Sequence, residues 1–80
     1  MIAAVSIQAF TKPGAGFACL HVAEIVSGKD HNELILNSRR LAEQHQALWE
    51  ATYKLELIKS TIVIRSFDGW TYTDPFCENL

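Results

Sequence analysis

Ser38, His45 and Thr52 recur at intervals of seven, and His31 lies seven residues ahead of Ser38. At about 100° per residue a helix sets all four along one stripe. An imidazole with an ordinary pKa near ~6.5 can carry a proton or ligate a metal. The line therefore marks a candidate small-molecule pocket built from His45, Ser38, Thr52 and Trp49. Three observations favour a helix stripe satisfied from within instead. His31 and His45 are fourteen residues apart, about 21 Å along a helix, and the H-x-x-x-H and H-E-x-x-H spacings of helical zinc ligands do not occur. The hydroxyls of Ser38 and Thr52 can bond carbonyls of their own helix. His45 can be satisfied by a backbone group or by a side chain on a neighbouring strand.

The remaining reactive residues form no catalytic pattern. His21 and Glu24 fall on opposite faces of a regular strand, so either alone can meet His45 or a partner chain. Cys19 and Cys77 have no C-x-x-C neighbour; a disulfide between them would require an oxidising compartment that nothing else in the chain indicates. In Thr11-Lys12-Pro13-Gly14-Ala15-Gly16 the lysine precedes the glycines, the reverse of a phosphate-binding loop, so the segment is expected to be a turn. Arg39-Arg40, with Glu43 one turn on, is expected to be a solvated helix face. No metal or cofactor is expected.

Composition narrows the classes further. Eighty residues make one domain, with 49% hydrophobic residues and a net charge of −2. A pI near 5.8 gives no basic footprint, so nucleic acid is not an expected partner. No apolar run approaches the ~18 residues of a membrane span, and residues 1–10 lack the basic start and cleavage site of a secretory signal. A soluble cytoplasmic protein without membrane association is expected.

The elements that must position these residues are well marked. Residues 2–10 alternate Val5, Ile7 and Ala9 with Ser6, Gln8 and Phe10, the period of a half-buried strand. After the proline-glycine turn, residues 17–26 are apolar on both sides and read as a second strand. A competing reading places Phe17, Leu20, His21, Glu24 and Ile25 along a helix ended by Gly28. Asp30 is a good N-cap with Glu33 three residues later, which starts a helix over 31–54. Its stripe carries Leu34, Leu41, Leu48 and Leu55 on one flank and Ile35, Ala42 and Trp49 on the other, with Arg39, Glu43, Gln46 and Glu50 on the wet side. Glu56 would fall inside the stripe, so the helix stops before it. Residues 55–67 are rich in strand formers with a phase slip near Lys59-Ser60. Asp68-Gly69 signals a type I′ hairpin into a short strand over 70–73, and Asp74-Pro75 is expected to end it, leaving 74–80 as a tail. The expected fold is α+β: an antiparallel β-β-α-β-β sheet of about four strands with one long helix packed on one face.

Met1-Ile2, the alternating apolar residues that follow and Lys12-Pro13-Gly14 resemble the first strand and turn of the small dimeric ferredoxin-like monooxygenases that act on quinones and polyketides. That family places a helix directly after the turn and carries a second βαβ half. Here the marked helix begins only after Asp30, so no catalytic residue is carried over. The chain's size, weak charge and lack of motifs are also similar to those of small proteins carried by phages, plasmids or integron cassettes, many of which bind one partner.

One helix cannot cover both faces of such a sheet. Phe10, Phe17, Trp70 and Tyr72 are the expected apolar residues of the bare face, and a homodimer or higher homo-oligomer is the expected means of covering it, with another protein as a further partner class. The expected function is thus a small non-catalytic, self-associating interaction module, of the accessory or inhibitory kind found on mobile elements. The alternative is a small-molecule binder or small enzyme with its pocket near His45, between helix and sheet or at a dimer seam.

Overall fold

A computed structural model describes residues 1–11, 19–53 and 57–78. The elements are β1 (Ile2–Thr11), β2 (Cys19–Ser27), α1 (His31–Tyr53), β3 (Leu57–Ser66) and β4 (Thr71–Glu78). They form one antiparallel sheet in the order β2-β1-β3-β4, with α1 on one face. β1 lies between β2 and β3, which run parallel to each other and are joined by α1 across the sheet. This is the split crossover that puts a helix on one face only.

Alternation sorts each strand between the two faces. Val5 lies opposite Glu24 and Ile64, Ile7 opposite Val22 and Ile62, and Ala9 opposite Leu20 and Ser60. These rows face α1, and Ala3, Val5, Ile7, Ala9, Ile62 and Ile64 are buried beneath it. Burying a Val, Leu or Ile side chain fully contributes about 1.5–3 kcal/mol each, so these few residues hold the layers together. On the helix the buried line is Leu34, Ser38 and Ala42, spaced by four. Two of the three are small, which lets the helix backbone come close to the sheet.

The helix start is built as its sequence requires. The Glu33 amide donates to Asp30 Oδ1 at 2.9 Å, and the Leu34 amide donates to the Asp30 carbonyl at 3.1 Å. Gly28 donates its amide to the Met1 carbonyl at 2.9 Å, closing the end of the β1–β2 ladder. A Cβ at Gly28 would stand 2.9 Å from the Leu34 backbone nitrogen, so only glycine allows the chain to turn from β2 into α1 so tightly.

Residues 19–27 are strand, as the preferred reading has them, and not the competing helix. Other expectations are corrected. β4 continues through Asp74-Pro75 to Glu78, so residues 74–78 are not a tail. It is an edge strand, and its register against β3 shifts between Ser60 and Thr61, where proline's missing amide is tolerated. The phase slip expected near Lys59-Ser60 corresponds to the shift of β3 against β1, where Phe10 pairs with Lys59 and Thr11 with Leu57, leaving Ile58 as the extra residue. The β3–β4 turn is not the two-residue type I′ form. Ser66 and Trp70 are joined by an amide-to-carbonyl bond of 2.8 Å around a three-residue loop, and Gly69 donates to the Ser66 carbonyl at 3.2 Å. Gly69, at φ 95°, supplies the left-handed residue that a three-residue hairpin needs. The leucine ladder leaves the core as it runs: Leu34 is buried, Leu41 half-buried and Leu48 58% exposed. Leu55 and the helix stop expected before Glu56 lie outside the described residues.

Candidate functional site

The residues of the expected polar line have different surroundings. Ser38 is buried, and its hydroxyl donates to the Leu34 carbonyl at 2.6 Å, within the same helix. His45 is half-buried, with Nε2 2.9 Å from Glu24 Oε2 on β2 and its ring tilted against Trp49 at 5.6 Å between centroids. Thr52 is exposed in the last turn. His45 and Trp49 are thus brought together, Ser38 is self-satisfied and Thr52 stands apart. Among the described residues, no three His, Cys, Asp or Glu side chains cluster closely enough to hold a metal ion.

What these contacts do is anchor the helix along its two flanks. Toward β2, Asn37 donates its side-chain amide to the Ser27 carbonyl at 2.9 Å, and His45 meets Glu24. Toward β4, Arg39 Nε donates to Asp74 Oδ2 at 2.6 Å, and the His31 ring stacks on Trp70 with centroids 4.0 Å apart and planes 5° from parallel. Trp70 in turn stacks on Tyr72 at 5.8 Å. Arg39, expected on the wet side, is 48% exposed and from there also reaches Asp74 on the edge strand β4. Its partner carboxylate, only 10% exposed, raises the guanidinium pKa above its ordinary value, chiefly through their hydrogen bond.

The turn carries a second polar cluster. Asp68 accepts from the Ser66 hydroxyl and, at 3.1 Å, from the Trp70 amide; its other oxygen lies 3.6 Å from His31 Nε2. The Ser66 hydroxyl, then the Trp70 amide, hold the Asp68 pKa below the usual carboxylate value. Sequence reasoning missed both Arg39–Asp74 and His31–Asp68, which lie 35 and 37 residues apart. The readable signal was local: a serine two residues before the aspartate of an Asp-Gly turn can bond it.

Trp70 and Tyr72 were expected on the bare sheet face. The structure places them on the helix side, packed against the core cluster, because Tyr72 lies opposite Ile64, which faces α1. Phe10 is half-buried on the open face, and Phe17 lies outside the described residues.

That open face is the remaining candidate. Its two central rows run Ser6, Ala23, Val63, Thr73 and Gln8, His21, Thr61, Pro75. Neither contains a Lys, Arg, Asp or Glu. Arg65 sits in the next row with Ala4, Ile25 and Thr71, and Lys59 and Glu78 are register partners at the far end. Apolar surface gathers at the Arg65 end: Ile25 is 64% exposed, Phe67 72%, and Met1 and Ile2 about half. Met1, Ile2, Phe67 and Asp68 line an open cleft of about 490 Å³ there. No described helix is long and apolar enough to cross a membrane.

No protein-family model matches the chain, and neither a curated protein nor a solved structure matches it.

Proposed function

We propose that the protein is a non-catalytic, self-associating interaction module whose open sheet face is the seam with a second copy. The observation that carries this reading is the absence of formal charge from the two central rows of that face. A sheet face built for water ordinarily alternates Lys, Glu or Arg into such positions, whereas the centre of a protein interface is depleted of charge. Ser, Ala, Thr and Val are short, so two such faces can lie flat against each other.

The size of the face is sufficient for a modest interface. Four strands at ~4.8 Å spacing and nine residues at ~3.3 Å give a face of roughly 600 Å² per protomer, or about 1,200 Å² for a pair, the lower end of specific interfaces. A two-fold arrangement uses the same patch twice and closes, which fits one bare face per chain. Ile25, Ile2 and Phe67 then supply apolar contact at one end of the seam.

Light scattering on the purified protein tests the reading. The wild type is expected at a multiple of the 9.0 kDa chain mass. Val63→Glu, at the centre of the face and half-buried, is expected to halve that mass while circular dichroism stays that of the folded chain. Ser6→Lys, on the neighbouring strand of the same row, should do the same. A wild type of 9.0 kDa at several hundred micromolar, or unchanged mass in both variants, would overturn the proposal.

A further inference from the structure

The two edges of the sheet are not equivalent. β4 carries Pro75 and a register shift beside it, both of which interrupt an edge for a further strand. β2 is the other edge, nine residues long, with no proline and an unbroken register against β1 from Ile2–Ser27 to Phe10–Cys19. Among the described residues nothing pairs with its outer side, so alternate amides and carbonyls from Cys19 to Ser27 point away from the sheet without a strand partner. A long, regular, unguarded edge is a template for strand addition.

We propose that β2 pairs antiparallel with β2 of a second copy about a two-fold axis at Ala23, joining two sheets into one of eight strands. Three observations select a second copy and this register. The first is the sequence of β2 itself. Centring on Ala23 sets Ala23 against Ala23, Val22 against Glu24, His21 against Ile25 and Leu20 against Val26. Ala23 is the midpoint of Cys19–Ser27, so this register pairs all nine residues, whereas shifting the axis by one residue to Val22 or Glu24 pairs only seven, and the Glu24 axis also opposes two glutamates. Second, Ile25, 64% exposed, gains the partner's His21 as a neighbour on the open face. Third, the helix flank above this edge carries an uncovered leucine. Asn37 and His45 both bond β2, which fixes Leu41 and Leu48 on the same flank by helical spacing. Leu41 is half-buried, whereas Leu48 is 58% exposed beside an otherwise wet helix surface.

The register also decides where the helices go. Val22 and Glu24 both face α1 in their own chain, and directly opposed residues of an antiparallel pair point the same way. Both helices therefore stand on one side of the joined sheet, with the two Leu48 side chains flanking the seam. The other side remains a continuous open face, so edge pairing and face pairing are compatible and independent.

Mass measurements on variants separate the two. In a Val63→Glu chain, which lacks the face seam, edge pairing leaves a species of twice 9.0 kDa. Adding Leu48→Lys, an exposed helix position that lysine suits, is expected to reduce it to 9.0 kDa with an unchanged circular dichroism spectrum. Amide hydrogen exchange supplies a second readout without further mutation: in Val63→Glu the Cys19–Ser27 amides should exchange at least tenfold more slowly at high than at low protein concentration, and those of β4 should not change. A Val63→Glu chain that is already 9.0 kDa at several hundred micromolar overturns the edge proposal and leaves the face proposal standing. A dimer that survives Leu48→Lys with β2 exchange independent of concentration also overturns it. If Val63→Glu leaves the wild-type mass intact while Leu48→Lys lowers it, the face proposal fails and the edge proposal stands.

Discussion

At the scale of single residues, several polar side chains of this protein bond one another or the backbone of their own element. Ser38 spends its proton on its own helix, His45 meets Glu24, Arg39 meets Asp74, and Asp68 gathers the Ser66 hydroxyl and the Trp70 amide. Asp68 yields a pH prediction with a definite sign. Its pKa is depressed by donors that exist only in the folded chain, so it binds its proton less readily when folded than when unfolded. The stability it contributes is fully present above the ordinary carboxylate pKa of about 4 and is lost as pH falls from there through the lower folded value. Asp68→Asn keeps an acceptor for the Trp70 amide but removes the titrating charge. Its thermal midpoint is expected to fall less steeply than that of the wild type between about pH 5 and pH 2, as followed by circular dichroism. An equally steep acid limb in the variant would show that Asp68 does not act as described.

At the scale of elements, two glycines hold the connections for different reasons, and substitution separates them. Gly69 sits at φ 95° with nothing within 4 Å of an added Cβ, so Gly69→Ala meets no neighbour but forces alanine into left-handed backbone, a penalty of about 1–2 kcal/mol. Gly28→Ala drives a methyl group to 2.9 Å from the Leu34 nitrogen, which must move the cap of α1, an overpacking effect of about 1–3 kcal/mol. Urea titration should rank both below wild type. Gly69→Asn, whose side chain tolerates positive φ, should recover part of the loss, whereas Gly28→Asn should recover none. The same contrast explains how much of the fold could be read in advance. Asp30 and Glu33 marked the helix start, and period-two alternation marked β1, because those signals are local. β4 was cut short at Pro75 because the sequence does not say that the strand lies at an edge, where proline is tolerated. Trp70 and Tyr72 were assigned to the wrong face because the loop has three residues instead of two, and one residue reverses every side chain beyond it. The polar stripe was legible only as residue types: His21 and Glu24 were both open as partners for His45, and that Glu24 meets it depended on where the helix crosses β2.

At the scale of the whole molecule, the core is thin for its two layers. The fully buried apolar side chains among the described residues are Ala3, Val5, Ile7, Ala9, Leu34, Ala42, Ile62 and Ile64, and three of these eight are alanines with little surface to bury. An 80-residue chain with 49% hydrophobic residues therefore leaves much of its apolar area outside that core, in Ile2, Ile25, Leu48 and Phe67. Under the proposed association at the bare face and free edge, stability depends on concentration, because unfolding is coupled to dissociation. A hundredfold rise in protein concentration adds about 2.7 kcal/mol per association event, about half of that for each protomer of a pair, which corresponds to roughly 5–10 °C in Tm for a chain of this length. Calorimetry from a few micromolar to several hundred micromolar is expected to show that shift in the wild type and a smaller one in Val63→Glu. The chain carrying both Val63→Glu and Leu48→Lys is expected to show no shift and the lowest Tm of the set. A wild-type Tm constant across that range would mean that the thin core is sufficient by itself, and it would remove the thermodynamic reason for covering either surface.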